Sequence, residues 1–216
     1  MPRIAAPRVA LHCEAKSSHP ALINTQGGVG CNQPKGVIMK FPAQETEGTC
    51  GLYAVKYCIQ LLQERDVSVG ELQVRTGLSP LQVKVNGVDE DRLAKVLQDM
   101  GLQARVIRLK KPFKASTFEG YLEALVPEDR GCVITAWHRV CGPHYHWVTV
   151  AGVDLVEEQV MVIDSYQIDD EHEDWEQEPE EPCKGNMSLD RFIEHCKPKW
   201  FNFDEDANIL ISVRNP

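Results

Sequence analysis

The stretch Gln44-Glu45-Thr46-Glu47-Gly48-Thr49-Cys50-Gly51-Leu52-Tyr53-Ala54-Val55-Lys56-Tyr57-Cys58-Ile59-Gln60-Leu61-Leu62 decides how the chain is read. Counted from Val55, the apolar residues Val55, Cys58, Ile59 and Leu62 recur at i, i+3, i+4 and i+7, the spacing of one helical face. Gly48-Thr49 before it and Gly51 after it place Cys50 in the first turn of that helix. A thiol there has a physical reason to ionise, because the unpaired first-turn N–H groups and the helix dipole favour negative charge. Gln44, six residues upstream, carries a side-chain amide that, with the Cys50 backbone N–H, can donate to a developing oxyanion.

A nucleophile needs a base, and the base needs an orienting group. Further along, His146 opens the apolar run His-Trp-Val-Thr-Val-Ala-Gly-Val-Asp, and Asp164 closes Val160-Met161-Val162-Ile163-Asp164. Both runs read as strands, and Glu157-Glu158 between them makes an antiparallel hairpin. His146 and Asp164 then fall at the same open end, where the carboxylate can take the Nδ1–H of the imidazole. His144 is the competing base, two residues earlier on the same side of an extended chain, but Pro143 favours a loop there. The set His138, Cys141, His144 and His146 can also be read as a metal cluster. Its spacings match no common zinc motif, and no metal or cofactor is expected.

Working outward, a short helix is expected around Val69–Val74, then a turn at Gly77-Leu78-Ser79-Pro80. A third helix runs from about Asp89 to Met100 with Gly101 as its C′ residue. A strand over Ala104–Leu109 and a helix marked by Phe118, Tyr121, Leu122 and Leu125 follow. Cys132–Trp137 is a buried strand pattern, Ser188 caps a helix using Leu189, Phe192, Ile193 and Cys196, and Ile209–Val213 supplies a last strand. Helices first and then a mostly antiparallel sheet make an α+β fold. Residues 1–36 show no steady period and contain Gln26-Gly27-Gly28-Val29-Gly30, so they read as a flexible arm preceding a domain over 37–216.

The net charge of −9 is local. Nine of the 32 acids, Asp169, Asp170, Glu171, Glu173, Asp174, Glu176, Glu178, Glu180 and Glu181, lie in the insertion at about 167–182, which has no Lys or Arg. The remaining 23 acids balance the 23 bases. An acidic chain is a poor partner for nucleic acid. The segment at 169–181 is either a solvated loop or a surface for a basic partner. No apolar run reaches the ~18–20 residues a membrane-spanning helix needs. The eight cysteines form no compact framework and no CxxC pair, which favours a reducing compartment. No Sec-type signal is visible at the N-terminus, so the expectation is a cytoplasmic protein or one secreted without such a signal.

The ordered set Gln44-x5-Cys50-Gly51, His146 and Asp164 resembles the papain-like cysteine peptidases. With the Gly77-Leu78-Ser79 turn and the helix Val88–Gly101 it is most similar to the double-glycine (bacteriocin-leader) peptidase branch. The resemblance covers about residues 40–165 and leaves residues 1–36 and the acidic segment unmatched. It implies a papain-like α+β fold, a Cys50–His146–Asp164 triad with Gln44 as oxyanion donor, a thioester intermediate, and a protein or peptide substrate. Gly27-Gly28 is similar to the pair this branch cleaves in leaders, though a Gly pair also serves as a plain linker.

Two other readings use the same residues. Small papain-like proteins without a signal peptide also occur as secreted bacterial effectors and toxins, some of which deamidate glutamine. A papain-like fold can also bind a peptide without cutting it. Cys50 alone could be a buried structural cysteine. The four roles in order favour a thiol-dependent amide hydrolase.

Overall fold

In the computed structural model the described residues are 40–46, 48–110, 113–126, 131–137, 146–166, 176–178, 181–197 and 208–216. The arm at 1–36 with Gly27-Gly28, the residues His138, Cys141 and His144, and most of the acidic segment lie outside them.

Six helices and seven strands are described: α1 Cys50–Gln63, α2 Val69–Thr76, α3 Pro80–Asn86, α4 Glu90–Asp99, β1 Gln103–Leu109, α5 Ala115–Leu125, β2 Gly131–Trp137, β3 His146–Asp154, β4 Gln159–Ile163, β5 Glu176–Glu178, β6 Glu181–Ser188, α6 Leu189–Cys196 and β7 Asn208–Arg214. The strands form one sheet in the order β1-β7-β2-β3-β4-β6-β5, with every neighbouring pair antiparallel. This is the α+β architecture expected from the sequence.

Helices cover both faces of the sheet, which explains why all seven residues of β2 are buried. On one face α1, α2 and α4 bring Leu52, Val55, Cys58, Ile59, Leu72, Leu93 and Leu97 against Cys132, Ile134 and Trp147. On the other, α5 and α6 bring Phe118, Leu122 and Phe192 against Val133, Val148 and Val162. A smaller cluster of Phe41, Tyr53, Tyr57, Ile163 and Cys183 closes the sheet behind the end of β4. Cys58, Cys132 and Cys196 are core residues, each no more than 1% exposed.

Three elements differ from the expectation. Residues 80–86 were expected to follow a plain turn, and they form α3. Ser79 and Gln82 make a reciprocal capping box and Pro80 occupies the first helical turn, so local bonding rather than an apolar face sustains this helix. Only Val83 of its seven residues is buried, leaving no period to read. Within the acidic insertion Glu176–Glu178 is a strand, and Glu181–Ser188, which runs on from its end, is another, because β6 pairs with β4 from Ile163↔Lys184 to Gln159↔Ser188. Lys, Glu, Gly and Asn depress strand propensity, and ladder bonding to β4 overrides it.

Candidate active site

Cys50 is the first residue of α1. Thr49 stands at the N-cap position but does not cap the helix. Its hydroxyl donates instead to the Thr46 carbonyl at 2.5 Å, and no acid occupies the first turn. The first-turn N–H groups are therefore left for another anion, and the Cys50 sulfur is the nearest candidate. Gly48 and Gly51 make this turn possible. Gly48 has φ +79°, and a Cβ there would sit 2.4 Å from the Val83 carbonyl oxygen, so the backbone before the nucleophile packs directly on α3. A Cβ on Gly51 would lie 3.0 Å from Leu93 Cδ1 and 3.1 Å from Trp147 Cδ1, which brings the turn tight against α4 and β3.

His146 starts β3, and Asp164 immediately follows β4. The two strands pair from Asp154↔Gln159 to Thr149↔Ile163, with a bulge between Val150 and Gly152. That extra residue shifts the register by one and carries Asp164 one position nearer to His146. His146 Nε2 lies 2.5 Å from Asp164 Oδ1. The expectation had the carboxylate on Nδ1. Here it holds Nε2, so the nitrogen that serves Cys50 is Nδ1. The reason is position: Asp164 lies beyond the end of β4 and reaches the outer nitrogen of the ring, leaving the inner one toward α1.

The electrostatics follow from these contacts. Asp164 is fully buried, and His146 keeps only 12% of its side chain exposed. Burial acts to lower the His146 pKa, but the charge and hydrogen bond of Asp164, with smaller help from Cys50, outweigh it and hold the group at about 10. Burial acts to raise the Cys50 pKa. The hydrogen bond and positive charge of His146, then the N–H groups of Trp147 and Gly51, outweigh that and bring it below the usual thiol value. Cys132, Cys183 and Cys196 are all raised, chiefly by burial, with Cys183 at about 11. Cys50 is thus set apart from these three as a cysteine whose surroundings favour the thiolate.

Gln44 is tied to the residue after Asp164. Its backbone N–H donates to the Ser165 carbonyl at 2.8 Å, and its side-chain Oε1 accepts from Ser165 Oγ at 2.8 Å. With Oε1 engaged, the Nε2 amide is the end left for a ligand. Cys50, His146, Asp164 and Gln44 are thereby linked in one place, by contacts between the start of α1, the start of β3 and the end of β4. Sequence reasoning missed two neighbours, Ser165 and Tyr166. Tyr166 donates its backbone N–H to Asp164 Oδ1 at 2.7 Å and sets its ring perpendicular to His146, with centroids 5.7 Å apart. Ser165 directly follows the apolar run that Asp164 closes, but nothing in the sequence indicates that its hydroxyl meets Gln44, 121 residues away.

Two of the solved structures that resemble this chain have TM-scores of 0.50 or more. The peptidase domain of Streptococcus ComA, a bi-functional ABC transporter of a quorum-sensing pathway, superposes with a TM-score of 0.52 at 13% identity, over 82% of this chain and 98% of that one. A double-glycine-motif protease from a PCAT transporter, solved with its leader peptide, gives 0.50 at 14% identity, over 81% and 89%. The chain has the papain-like fold of the double-glycine peptidases. No protein-family model and no curated relative matches it. One neighbour is a peptidase domain and the other a protease, so the likeness is one of peptidase-like fold. Among the described residues no helix is long and apolar enough to cross a membrane.

Proposed function

We propose that the chain is a thiol-dependent amide hydrolase, a cysteine peptidase in chemistry as well as in fold. The observation that supports this most is the relay Cys50–His146–Asp164: a thiol at a helix N-terminus, bonded to an imidazole whose other nitrogen is fixed by a fully buried carboxylate. In this reading the Cys50 thiolate attacks the carbonyl carbon. The oxyanion accepts from the Cys50 backbone N–H and Gln44 Nε2. The His146 imidazolium gives its Nδ1 proton to the leaving amine, which departs as the thioester forms. His146 then takes a proton from water, which attacks the thioester and frees Cys50. Asp164 keeps the ring aligned and stabilises its charge throughout.

The substrate in this reading is a protein or peptide, as the leader-peptide complex of one structural neighbour suggests. A basic residue beside the cut bond fits the backbone. The Asp164 N–H donates to the Cys183 carbonyl, and Glu181, two residues earlier on β6, pairs with Glu178 of β5. The end of the sheet at Glu178 and Glu181 thus extends from the part that holds Asp164. Turnover of Lys- or Arg-containing peptides that falls as salt rises, with neutral peptides indifferent, is the expected result.

Intact-mass spectrometry of candidate substrates with the wild type and Cys50→Ala tests the reading. Fragments formed by the wild type alone support a peptidase. A mass gain from replacing an amide NH2 by OH would assign a deamidase instead. A Cys50→Ala protein that keeps its full biological effect would leave a binding module and refute the enzyme.

A further inference from the structure

Residues 40–46 carry Gln44 and belong to no helix or strand, so regular secondary structure does not fix them. Helix α1 does so with side chains. Tyr53, Tyr57 and Gln60 lie at i, i+4 and i+7 and share one face of α1. Gln60 donates Nε2 to the Lys40 carbonyl at 3.3 Å. Tyr57, fully buried, donates its hydroxyl to the Pro42 carbonyl at 2.6 Å and meets the Phe41 ring edge-on, with centroids 5.4 Å apart. Tyr53 bonds to the backbone of Glu45. The segment thus runs along α1 toward Cys50. We propose that Tyr57 is a positioning residue whose hydroxyl, by holding the Pro42 carbonyl, fixes the backbone that carries Gln44 and so aims its amide at the oxyanion. This deepens the hydrolase reading and rests on it for its catalytic consequence.

An oxyanion donor works only when its N–H points at the place the charge will occupy, and a misplacement of ~1 Å can cost about a hundredfold in rate. Gln44 is held from two sides. The Ser165 carbonyl takes its backbone N–H and the Ser165 hydroxyl holds Oε1, both at 2.8 Å. Those bonds tie Gln44 to the end of β4. The Tyr57 bond, two residues upstream, ties it to the helix that begins at Cys50. Donor and nucleophile are thereby placed by the same helix. Only Ala43 lies between the two anchors, which leaves the chain little room to swing. Burial raises the Tyr57 pKa, so the hydroxyl keeps its proton and remains a donor. Packing among Phe41, Tyr53 and Ile163 would be met by a phenylalanine, so the hydroxyl is what the tyrosine adds.

The test compares the full chain with Tyr57→Phe, Phe41→Leu and Gln44→Ala, and with Tyr57→Phe in the Gln44→Ala background. Tyr57→Phe keeps the ring and removes one oxygen. Its kcat on a cleaved peptide is expected to fall about tenfold with KM unchanged. Alkylation of Cys50 by iodoacetamide is expected to stay as in the wild type, because displacement of iodide forms no oxyanion. In the Gln44→Ala background Tyr57→Phe is expected to cost nothing further, as for two residues that act through one group. Phe41→Leu loosens the same cluster but leaves the hydroxyl, so it is expected to lower the melting temperature and leave kcat near the wild type. A second readout needs no turnover: the NMR order parameter of the Gln44 side-chain amide, assigned by its absence in Gln44→Ala. It is expected to fall in Tyr57→Phe and to hold in Phe41→Leu. Additive losses in the double variant overturn the inference, as does an unchanged order parameter in Tyr57→Phe. So does a kcat loss in Phe41→Leu equal to that in Tyr57→Phe, which would assign the effect to packing. Alkylation slowed as much as turnover also overturns it, since the hydroxyl would then serve the nucleophile. A chain that never cleaves a peptide yet shows the order-parameter change would refute the hydrolase reading and leave the positioning role standing.

Discussion

Asp164→Asn separates the geometry of the relay from its charge. Asn has the same shape, and its carbonyl oxygen can accept from both His146 Nε2 and the Tyr166 N–H, as Asp164 Oδ1 does at 2.5 and 2.7 Å. What disappears is a full negative charge at a fully buried position. Two unit charges near 4 Å in a partly screened protein interior attract by ~4 kcal/mol, which is about 3 pKa units at 1.36 kcal/mol each. Subtracted from about 10, that returns His146 to about its ordinary value, since burial is then opposed chiefly by the smaller help from Cys50. The imidazole becomes neutral at physiological pH, and the Cys50 thiolate loses its counter-ion. The assay is alkylation of Cys50 by iodoacetamide between about pH 5 and 9, read by mass spectrometry against the other cysteines. The wild type is expected to react at about pH 6 well above its buried cysteines, and Asp164→Asn at least about tenfold more slowly, with the difference shrinking as pH rises past the ordinary thiol value. Turnover should fall by about a hundredfold or more. Circular dichroism of the variant should match the wild type. An unchanged alkylation profile would refute the reasoning, because it would mean that the carboxylate charge does not set the protonation of His146.

Gln44→Ala is expected to lower kcat about a hundredfold with little change in KM, as for any lost oxyanion donor. Ser165→Ala, which frees the amide to rotate, should cost less, about five- to tenfold, and a Ser165→Ala loss equal to that of Gln44→Ala would argue that the two act as one unit. Gly48→Ala would drive a Cβ into the Val83 carbonyl at 2.4 Å and force φ +79° on an L-residue, so thermal unfolding should show a clear loss of stability, with Cys50 alkylation slowed in whatever remains folded. Because the folded His146 pKa lies above its unfolded value of 6.5, its contribution to stability is full below about 6.5 and lost as pH rises through the folded value. Cys50→Ala, which removes the opposing thiol, should therefore melt at falling temperature from pH 6.5 upward, and adding Asp164→Asn should flatten that slope; parallel slopes in the two proteins would contradict it.

The sequence made the scaffold legible wherever a period met a breaker. The apolar face from Val55 to Leu62, Gly101 after α4 and the Ser188 cap all mark real elements, because each rests on local spacing or local bonding. Helix α3 escaped because six of its seven residues are not buried and its stability comes from a capping box. The strands β5 and β6 escaped because β6 pairs with β4 and β5 pairs with β6, and that ladder bonding supplies what Glu, Pro and Lys do not. At the site, Cys50, His146, Asp164 and Gln44 could be named because each carries a functional group in a recognisable order. Ser165 and Tyr166 could not be assigned roles, since their partners are set by how β4 ends against α1 and β3.

That ending explains why so much chemistry gathers on three consecutive residues. Within a strand, neighbouring side chains point to opposite faces, so consecutive residues rarely share a site. Asp164 follows the last paired residue of β4, and its N–H still bonds to the Cys183 carbonyl, which fixes where the chain leaves the sheet. From there the chain turns back on itself. The Tyr166 N–H closes onto the Asp164 carboxylate two residues earlier, a local bond that Asp side chains make readily. This turn directs Asp164 to His146, Ser165 to Gln44 and Tyr166 across the imidazole. One short segment therefore joins the base to the candidate oxyanion donor, and a change in its backbone should disturb both at once. A proline at Tyr166, which removes the N–H that holds Asp164, is accordingly expected to slow Cys50 alkylation more than Tyr166→Ala does. If the two variants slow it equally, the turn contributes nothing beyond the ring.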